Sequence, residues 1–258
     1  MMDWGALIAA TLRLYQQAGK ETWQKTGQGW WVGLLPLLYG PVFLLAAAFV
    51  APLGLVGGLL LGLVLALGTS SYLYFIAGVV NGSRLSLRDL GESWRPFFGP
   101  VITVMFFLSI VQYVLALLLP PVAGAQALRT LINLALLVIL NPVPEIIYQG
   151  RGQGLDMLRE SVEFLRDSGV EWFLPFAALA VFSLFFFPLP ILMMPLQIGR
   201  LTFPLLSGGG LFPASLAGLV WGAISAFILF ALMVFRGFLF RALASGTRRQ
   251  RVFRSRFS

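Results

Sequence analysis

Residues 141–172 read NPVPEIIYQGRGQGLDMLRESVEFLRDSGVEW, and this stretch separates two long apolar parts of the chain. It starts with two prolines, continues through three glycines and ends in a segment whose apolar residues have helical spacing. It contains six of the ten acidic residues of the chain: Glu145, Asp156, Glu160, Glu163, Asp167 and Glu171. This pattern predicts a charged loop helix between two apolar segments.

The apolar segments on either side indicate the fold class. The sequence is 59% hydrophobic and 11% charged, whereas a soluble domain has about 25% charged residues. All residues from Trp30 up to Arg84 are uncharged. Because one membrane span needs about 20 apolar residues, this run must contain two spans. The sequence therefore predicts an all-α, polytopic membrane helical bundle.

The chain divides into one membrane domain, residues 1–235, and a basic tail, residues 236–258. Apolar runs and turn residues predict six transmembrane helices, at about 31–50, 55–80, 97–119, 130–147, 172–197 and 214–235. Amphipathic segments 3–17 and 154–168 are expected to lie in the membrane interface, although 3–17 could equally pack on the bundle. The start does not look like a signal peptide, because Asp3 stands where positive charge is expected.

The distribution of charge predicts the orientation. Sixteen of the eighteen Lys and Arg residues fall on one side of a six-span topology, and only Arg129 and Arg200 fall on the other. By the positive-inside rule the basic side is cytoplasmic, which places both termini and loops 81–96 and 148–171 in the cytoplasm.

Residue types exclude several kinds of chemistry. The chain has no Cys and no His, so it lacks thiol nucleophiles, imidazole bases and the usual zinc and haem ligands. We therefore expect no catalytic residues, no metal and no cofactor, and a protein that is not an enzyme.

The NPVPE stretch is the strongest candidate site for an ion or a substrate. Its prolines have no N–H to donate, so the carbonyls of Val138 and Leu140 should lose their helical partners. Free carbonyls beside Asn141 and Glu145 could coordinate a cation or relay a proton. Glu145 is also close enough to the inner boundary to reach the headgroups, or to pair with an arginine of the next loop.

A transporter site is often built from two broken spans, and predicted span five is broken as well, at Pro188, Pro190 and Pro195. The breaks at Pro142 and Pro188 differ in depth by more than about 10 Å in a core of about 30 Å. This difference argues against one shared site.

Small residues recur at every fourth position of two spans, which predicts close helix packing. They are Gly54, Gly58, Gly62, Ala66 and Ser70 in span two, and Ala214, Gly218, Gly222 and Ala226 in span six. Packing within one chain and formation of a homodimer are both open. Gln112 and Asn133 are predicted to form a hydrogen bond between spans three and four.

Segment 154–168 places Leu155, Leu158, Val162 and Leu165 on one helical face, with charged residues around it. Arg159 can pair with Asp156 and Glu163 at helical spacing. Such a helix could dock a cytoplasmic or membrane protein partner, or it could cover the cytoplasmic mouth of its own bundle.

The tail combines arginine with phenylalanine and predicts contact with anionic lipid headgroups. The arginines proposed for this contact are Arg241, Arg248, Arg249, Arg251, Arg254 and Arg256. Nucleic acid is the less favoured partner for this segment.

A weak internal echo occurs at a constant offset of 68 residues. Asn81, Gly82, Leu87, Leu90 and Ser93 correspond to Gln149, Gly150, Leu155, Leu158 and Ser161. An internal repeat and a chance match are both open.

The span end with Pro142, Pro144 and Glu145, followed by Gly150 and by the helix GLDMLRES (154–161), resembles an element of a group of prokaryotic six-span proteins. The group comprises YciC-like proteins and the membrane domain joined to some glycerophosphodiester phosphodiesterases. The resemblance implies an all-helical bundle without a known active site, and this chain has no phosphodiesterase domain.

Three functions follow as hypotheses for a multi-pass protein of a bacterial cytoplasmic (inner) membrane. The first is a non-enzymatic scaffold or accessory subunit for transport or envelope maintenance. The second is a permease for a small or lipidic substrate that uses Asn141 and Glu145. The third is a lipid-modifying enzyme, for which Glu145 and Glu171 would be the reachable pair of acids.

Overall fold

The computed structural model describes residues 4–119, 123–152, 154–186 and 216–245, which are almost entirely helical and contain no β-strand. The helices are α1 (Trp4–Gln28), α2 (Leu35–Val50), α3 (Gly54–Asn81), α4 (Arg95–Leu118), α5 (Ala123–Leu140), α6 (Val143–Tyr148), α7 (Asp156–Phe186) and α8 (Leu216–Ala244). Short 3-10 helices at Trp30–Leu34, Ala51–Leu53 and Leu87–Gly91 precede α2, α3 and α4.

Within the described residues, five segments are long and apolar enough to cross a membrane, which indicates a membrane protein by length and composition. They are Trp30–Leu53, Val56–Asn81, Arg95–Leu118, Ala125–Tyr148 and Gly222–Ala244. The first four overlap the first four predicted spans, and the last overlaps the predicted sixth. The predicted fifth span lies partly outside the described residues.

The predicted helix 154–168 is helical from Asp156 onward, but its predicted end is wrong, because it is not a separate element. α7 begins at Asp156 and continues without a break to Phe186, so it joins the charged segment to the start of the predicted fifth span. The predicted boundary rests on a change from charged to apolar residues, and a change of polarity does not end a helix. Even Pro175 lies inside α7.

The N-terminal helix is longer than the predicted 3–17, because α1 continues to Gln28 and packs along α8. Ala18 is buried, and the Tyr15 hydroxyl donates a 2.7 Å hydrogen bond to the carbonyl oxygen of Glu171. Burial, with a smaller contribution from the Glu171 charge, raises the pKa of Tyr15 to about 12. These contacts favour packing on the bundle over a helix that lies alone in the interface.

The last helix also passes its predicted end. α8 continues to Ala244, so Arg236 and Arg241 lie on a helix and not in a tail that starts at residue 236. The predicted boundary stops at the first charged residue after an apolar run. When such a charged residue has a buried partner, it can lie inside the bundle, and the helix need not end at it.

The core lies where α3, α6, α7 and α8 meet, toward one end of the bundle. Its largest fully buried side chains are Trp172, Arg236, Tyr72, Phe75, Phe230, Phe240, Leu73, Ile76, Ile146, Met157 and Met233. Many large apolar side chains of α2, α3 and α4 are exposed, such as Phe49, Leu59 and Phe106. Exposed apolar surface on this scale suits a surrounding of lipid.

Several loops and helix ends meet at this end, which we call the charged end. Arg241 on α8 donates to the Asn81 side chain at the end of α3, with 2.6 Å between Nη2 and Oδ1. Arg151, which follows α6, donates to the carbonyl oxygen of Ala244 at 3.4 Å. α3, α6 and α8 therefore end on the same side of the bundle.

The 68-residue echo has a counterpart in backbone structure at the charged end. Gly82 and Gly150 both have positive φ, 71° and 68°, a conformation that glycine adopts without strain. The next residue in each copy closes the preceding helix: the N–H of Ser83 donates to the Gly78 carbonyl, and the N–H of Arg151 donates to the Ile146 carbonyl. The two bonds are 68 positions apart at both donor and acceptor.

The serines of the echo also occupy matching places. Ser93 Oγ lies 2.6 Å from Ser71 Oγ on the preceding span, and Ser161 Oγ donates to the carbonyl oxygen of Ile139 on the preceding span. Positions 71 and 139 again differ by 68. These contacts support an internal repeat in which a serine of each loop segment forms a hydrogen bond to the preceding helix.

Candidate functional site

The site is built around the break between α5 and α6. α5 ends at Leu140, and Pro142 caps the short helix α6. The carbonyl oxygen of Val138 accepts from the N–H of Asn141 at 3.3 Å. The expectation that this carbonyl lacks a partner is therefore wrong, because the chain tightens into a 3-10 turn. The carbonyl of Ile139 is bound by Ser161 on α7.

An ion pair inside the bundle dominates the site. Glu145 on α6 and Arg236 on α8 meet side by side, with Nε–Oε1 and Nη2–Oε2 distances of 2.8 Å. Their side chains are 0% and 1% exposed. Arg236 Nη2 also donates to the carbonyl oxygen of Asn141. One guanidinium thus binds both carboxylate oxygens and a backbone carbonyl at the helix break.

α7 closes the site with aromatic rings. The guanidinium carbon of Arg236 lies 5.2 Å from the ring centre of Trp172 and 5.8 Å from that of Phe176, which are cation–π distances. Trp172 Nε1 donates a 2.8 Å hydrogen bond to Asn141 Oδ1. Trp172 is fully buried, so the site joins α6, α7 and α8 within one water-poor core.

Most of the groups expected to bind a cation are therefore occupied. Arg236 takes both oxygens of Glu145 and the carbonyl of Asn141, and Trp172 takes the side-chain oxygen of Asn141. A cation at this place would have to displace the guanidinium. Within the described part of the chain, Asn141 Nδ2 is buried and has no hydrogen-bond partner.

From the sequence, Glu145 was expected to reach the headgroups or to pair with an arginine of the next loop. The partner is Arg236, which is 91 residues away in sequence. The available signal was an arginine with five apolar residues before it and four apolar or glycine residues after it, in the stretch ALMVFRGFLF (231–240). An ionisable residue in such a segment nearly always has a buried partner.

The place of Glu145 and Glu171 also bears on the lipid-modifying hypothesis. Glu145 is fully buried and Glu171 is 6% exposed. Neither carboxylate faces a headgroup, as that chemistry would need.

α8 passes very close to its neighbours beside the site. A Cβ added at Gly237 would lie 2.5 Å from the Tyr148 hydroxyl and 2.7 Å from Val80 Cγ2. Gln149 Nε2 donates to the Gly237 carbonyl at 3.0 Å. Val80 and Tyr148 are again 68 positions apart, so α8 packs against the same place in both copies of the echo.

We expect Gly237→Ala to lower the free energy of unfolding by about 1–3 kcal/mol, because the new methyl group overpacks a rigid contact. Gly58→Ala is the matched control, since nothing lies within 4 Å of a Cβ at Gly58. Thermal unfolding in detergent would measure both. Equal midpoints for the two variants would contradict the close approach at Gly237.

The small residues that were predicted to pack in span two differ in burial along α3. Ala66 and Ser70 are buried, whereas a Cβ at Gly54, Gly58 or Gly62 would meet no atom within 4 Å. Within the described chain, this row of small residues therefore packs closely only at Ala66 and Ser70. On α8, Gly222 and Ala226 are buried. The structure does not describe Ala214 or the surroundings of Gly218.

Other predicted residues can be placed directly. Gln112 Nε2 donates to Asn133 Oδ1 at 2.8 Å, so the predicted bond between spans is confirmed. Arg159 pairs with Glu163 at 2.9 Å, as helical spacing predicted. Arg241 bonds to Asn81, and the other five tail arginines lie outside the described residues.

The face by which α7 packs on the bundle agrees only in part with the predicted one. The buried residues of this segment are Met157, Ser161, Phe164 and Ser168. Of the predicted apolar face, Leu158 and Leu165 are partly buried against the core, whereas Leu155 and Val162 are 62% and 48% exposed.

Comparisons with protein-family models, with curated proteins and with solved structures find no match to this chain. The resemblance to YciC-like proteins and to phosphodiesterase-linked membrane domains stays a prediction.

Proposed function

We propose that this chain is a non-enzymatic membrane scaffold or accessory subunit for transport or envelope maintenance. The observation that carries the proposal is the closed ion pair of Glu145 and Arg236. A side chain that acts on a substrate needs free positions for hydrogen bonds or ion pairs. In Glu145 and Arg236, these positions are occupied by other groups of the same chain. The pair fixes α6 to α8, which is what a rigid platform needs.

The platform offers a face for a partner protein. Leu155, directly before α7, and Val162 and Val170 on α7 are exposed, by 62%, 48% and 70%. The pair Arg159–Glu163 lies on the same exposed side. An apolar strip beside charged groups is typical of a protein-binding surface, and the opposite side of α7 is fixed to the core.

Purification from native membranes in mild detergent tests the proposal. We expect a stable partner to copurify with the protein and to be lost from the variant Leu155→Asn/Val162→Asn. Leu87→Asn is the control, because Leu87 is 67% exposed on another loop helix. A protein that always purifies as a lone monomer would contradict the proposal.

We further propose the six-span topology, with both termini in the cytoplasm of a bacterium. Support comes from the charged end: α7 starts there, and α8 returns to it at Ala244. The described apolar part of α7, residues 172–186, is about 22 Å long at 1.5 Å per residue, which covers much of a bilayer core of about 30 Å. The basic loops at this end then favour a cytoplasmic position.

A permease is the second candidate function, and the unpaired Nδ2 of buried Asn141 favours it. A polar substrate or water could pair with that group. Ion flux into vesicles that contain the purified protein would test this function, with Glu145→Gln as the variant. Full flux through Glu145→Gln would exclude the site at Glu145.

A further inference from the structure

A cavity of about 400 Å³ lies between the end of α1 and the end of α3, apart from the ion pair. Its lining includes Lys25, Trp31, Ser83, Arg84 and Leu85. It is half open to the outside. The residues that line it contain two cations and no carboxylate, so its chemistry suits an anion.

Neither cation of the cavity is neutralised by an acid in the described part of the chain. Lys25 Nζ makes a 3.3 Å hydrogen bond to Gln28 Oε1, and Arg84 is exposed. The acids of the same loop are engaged elsewhere. Asp89 accepts from the N–H of Ser86, and Glu92 lies 3.5 Å from Arg95.

Helix capping explains only part of this arrangement. Lys25 Nζ lies 3.2 Å from a Cβ position at Gly82, directly after α3. A cation there is favourable for the negative end of the helix dipole. That effect accounts for Lys25 alone and does not explain Arg84, which also lines the cavity.

The depth of the cavity points to the kind of anion. It lies where the candidate span Val56–Asn81 ends and the candidate span Trp30–Leu53 begins. Trp30 is 57% exposed there, and Trp31 lines the cavity. Tryptophan marks the level of lipid headgroups, and basic pockets between helices at this level suit phosphate-bearing lipids.

We propose that this cavity binds the phosphate of an anionic phospholipid, with Lys25 and Arg84 as the two cationic contacts and Trp31 beside the start of the acyl chains. The two cationic contacts are different residues from the arginines proposed for the tail. It does not depend on the scaffold proposal.

Native mass spectrometry of the full chain in detergent, titrated with phosphatidylglycerol, tests the site. The variant Lys25→Gln/Arg84→Gln should bind the first lipid roughly thirty-fold more weakly, since each cation near an anionic headgroup contributes a factor of about five. The control Lys20→Gln/Arg88→Gln removes the same charge from α1 and from the same loop, outside the cavity. We expect this control to change the dissociation constant less than threefold.

Two further ligands separate the lipid from a soluble anion. Phosphatidylcholine should bind more weakly than phosphatidylglycerol, and millimolar glycerol phosphate should not displace the lipid. Equal weakening in the two double variants would overturn the site. Displacement by glycerol phosphate would overturn its assignment to a lipid.

Discussion

Replacing Arg236 with methionine is expected to lower the free energy of unfolding by about 3–5 kcal/mol, because it leaves a buried carboxylate without its partner. Glu145 is 0% exposed, and Arg236 supplies both donors to its oxygens. The variant also leaves the Asn141 carbonyl unbound. Equilibrium unfolding in mixed micelles would measure the loss.

Arg159→Met is the matched control for this prediction. Arg159 also pairs with a glutamate at 2.9 Å, but its side chain is 80% exposed. An exposed pair contributes about 0–1 kcal/mol, so the control should unfold close to the wild-type midpoint. Equal losses in Arg236→Met and Arg159→Met would show that burial of the pair has no energetic consequence.

Trp172→Ala is expected to cost about 3–5 kcal/mol through loss of a fully buried aromatic side chain. The ring packs edge-on against Phe164 and Phe240, with centroids 5.5 Å and 6.1 Å away. It also faces the guanidinium of Arg236. The same unfolding measurement applies.

Trp172→Phe separates the contributions of packing and hydrogen bonding at this position. Phenylalanine retains most of the ring and loses the N–H that binds Asn141 Oδ1. We expect a loss of about 1–3 kcal/mol, the cost of an unpaired buried acceptor together with a small cavity. A phenylalanine variant as unstable as the alanine variant would contradict the importance of ring packing.

The membrane character and much of the helix order are predictable from the sequence, because lipid requires long runs without charge. The break at Pro142 is predictable as well, since proline cannot donate in a helix. The hydrogen bond from Gln112 to Asn133 was predictable because polar side chains in apolar spans form hydrogen bonds between helices. Each of these rules acts on a residue and its close surroundings.

Asn141 and Glu145 were predicted as the candidate site, but the partner of Glu145 was missed because it comes from a distant part of the chain. Arg236 is 91 residues from Glu145, and a positive charge near the end of an apolar run usually marks the membrane boundary. That rule assigned Arg236 to the tail. The exception arises when a buried acid pairs with the arginine, and a local pattern does not identify which acid that is.

The packing face of α7 was predicted only in part, for a related reason. Helical spacing favoured Leu158 and Leu165, which pack on the core, but also Leu155 and Val162, which are exposed. The bundle buries Ser161 instead, whose hydroxyl binds the Ile139 carbonyl. The need for that hydrogen bond arises at the end of α5, where the proline break begins. The echo did contain a hint, since Ser93 and Ser161 are matched positions.

A double-mutant cycle on Glu145→Gln and Arg236→Met, followed by unfolding in mixed micelles, tests the central claim that this pair holds α6 to α8. We predict that the double variant loses less stability than the sum of the two single losses, by about 2 kcal/mol or more, because each single change strands the other group. Losses that add to within about 0.5 kcal/mol would contradict the claim, since independent sites behave in that way.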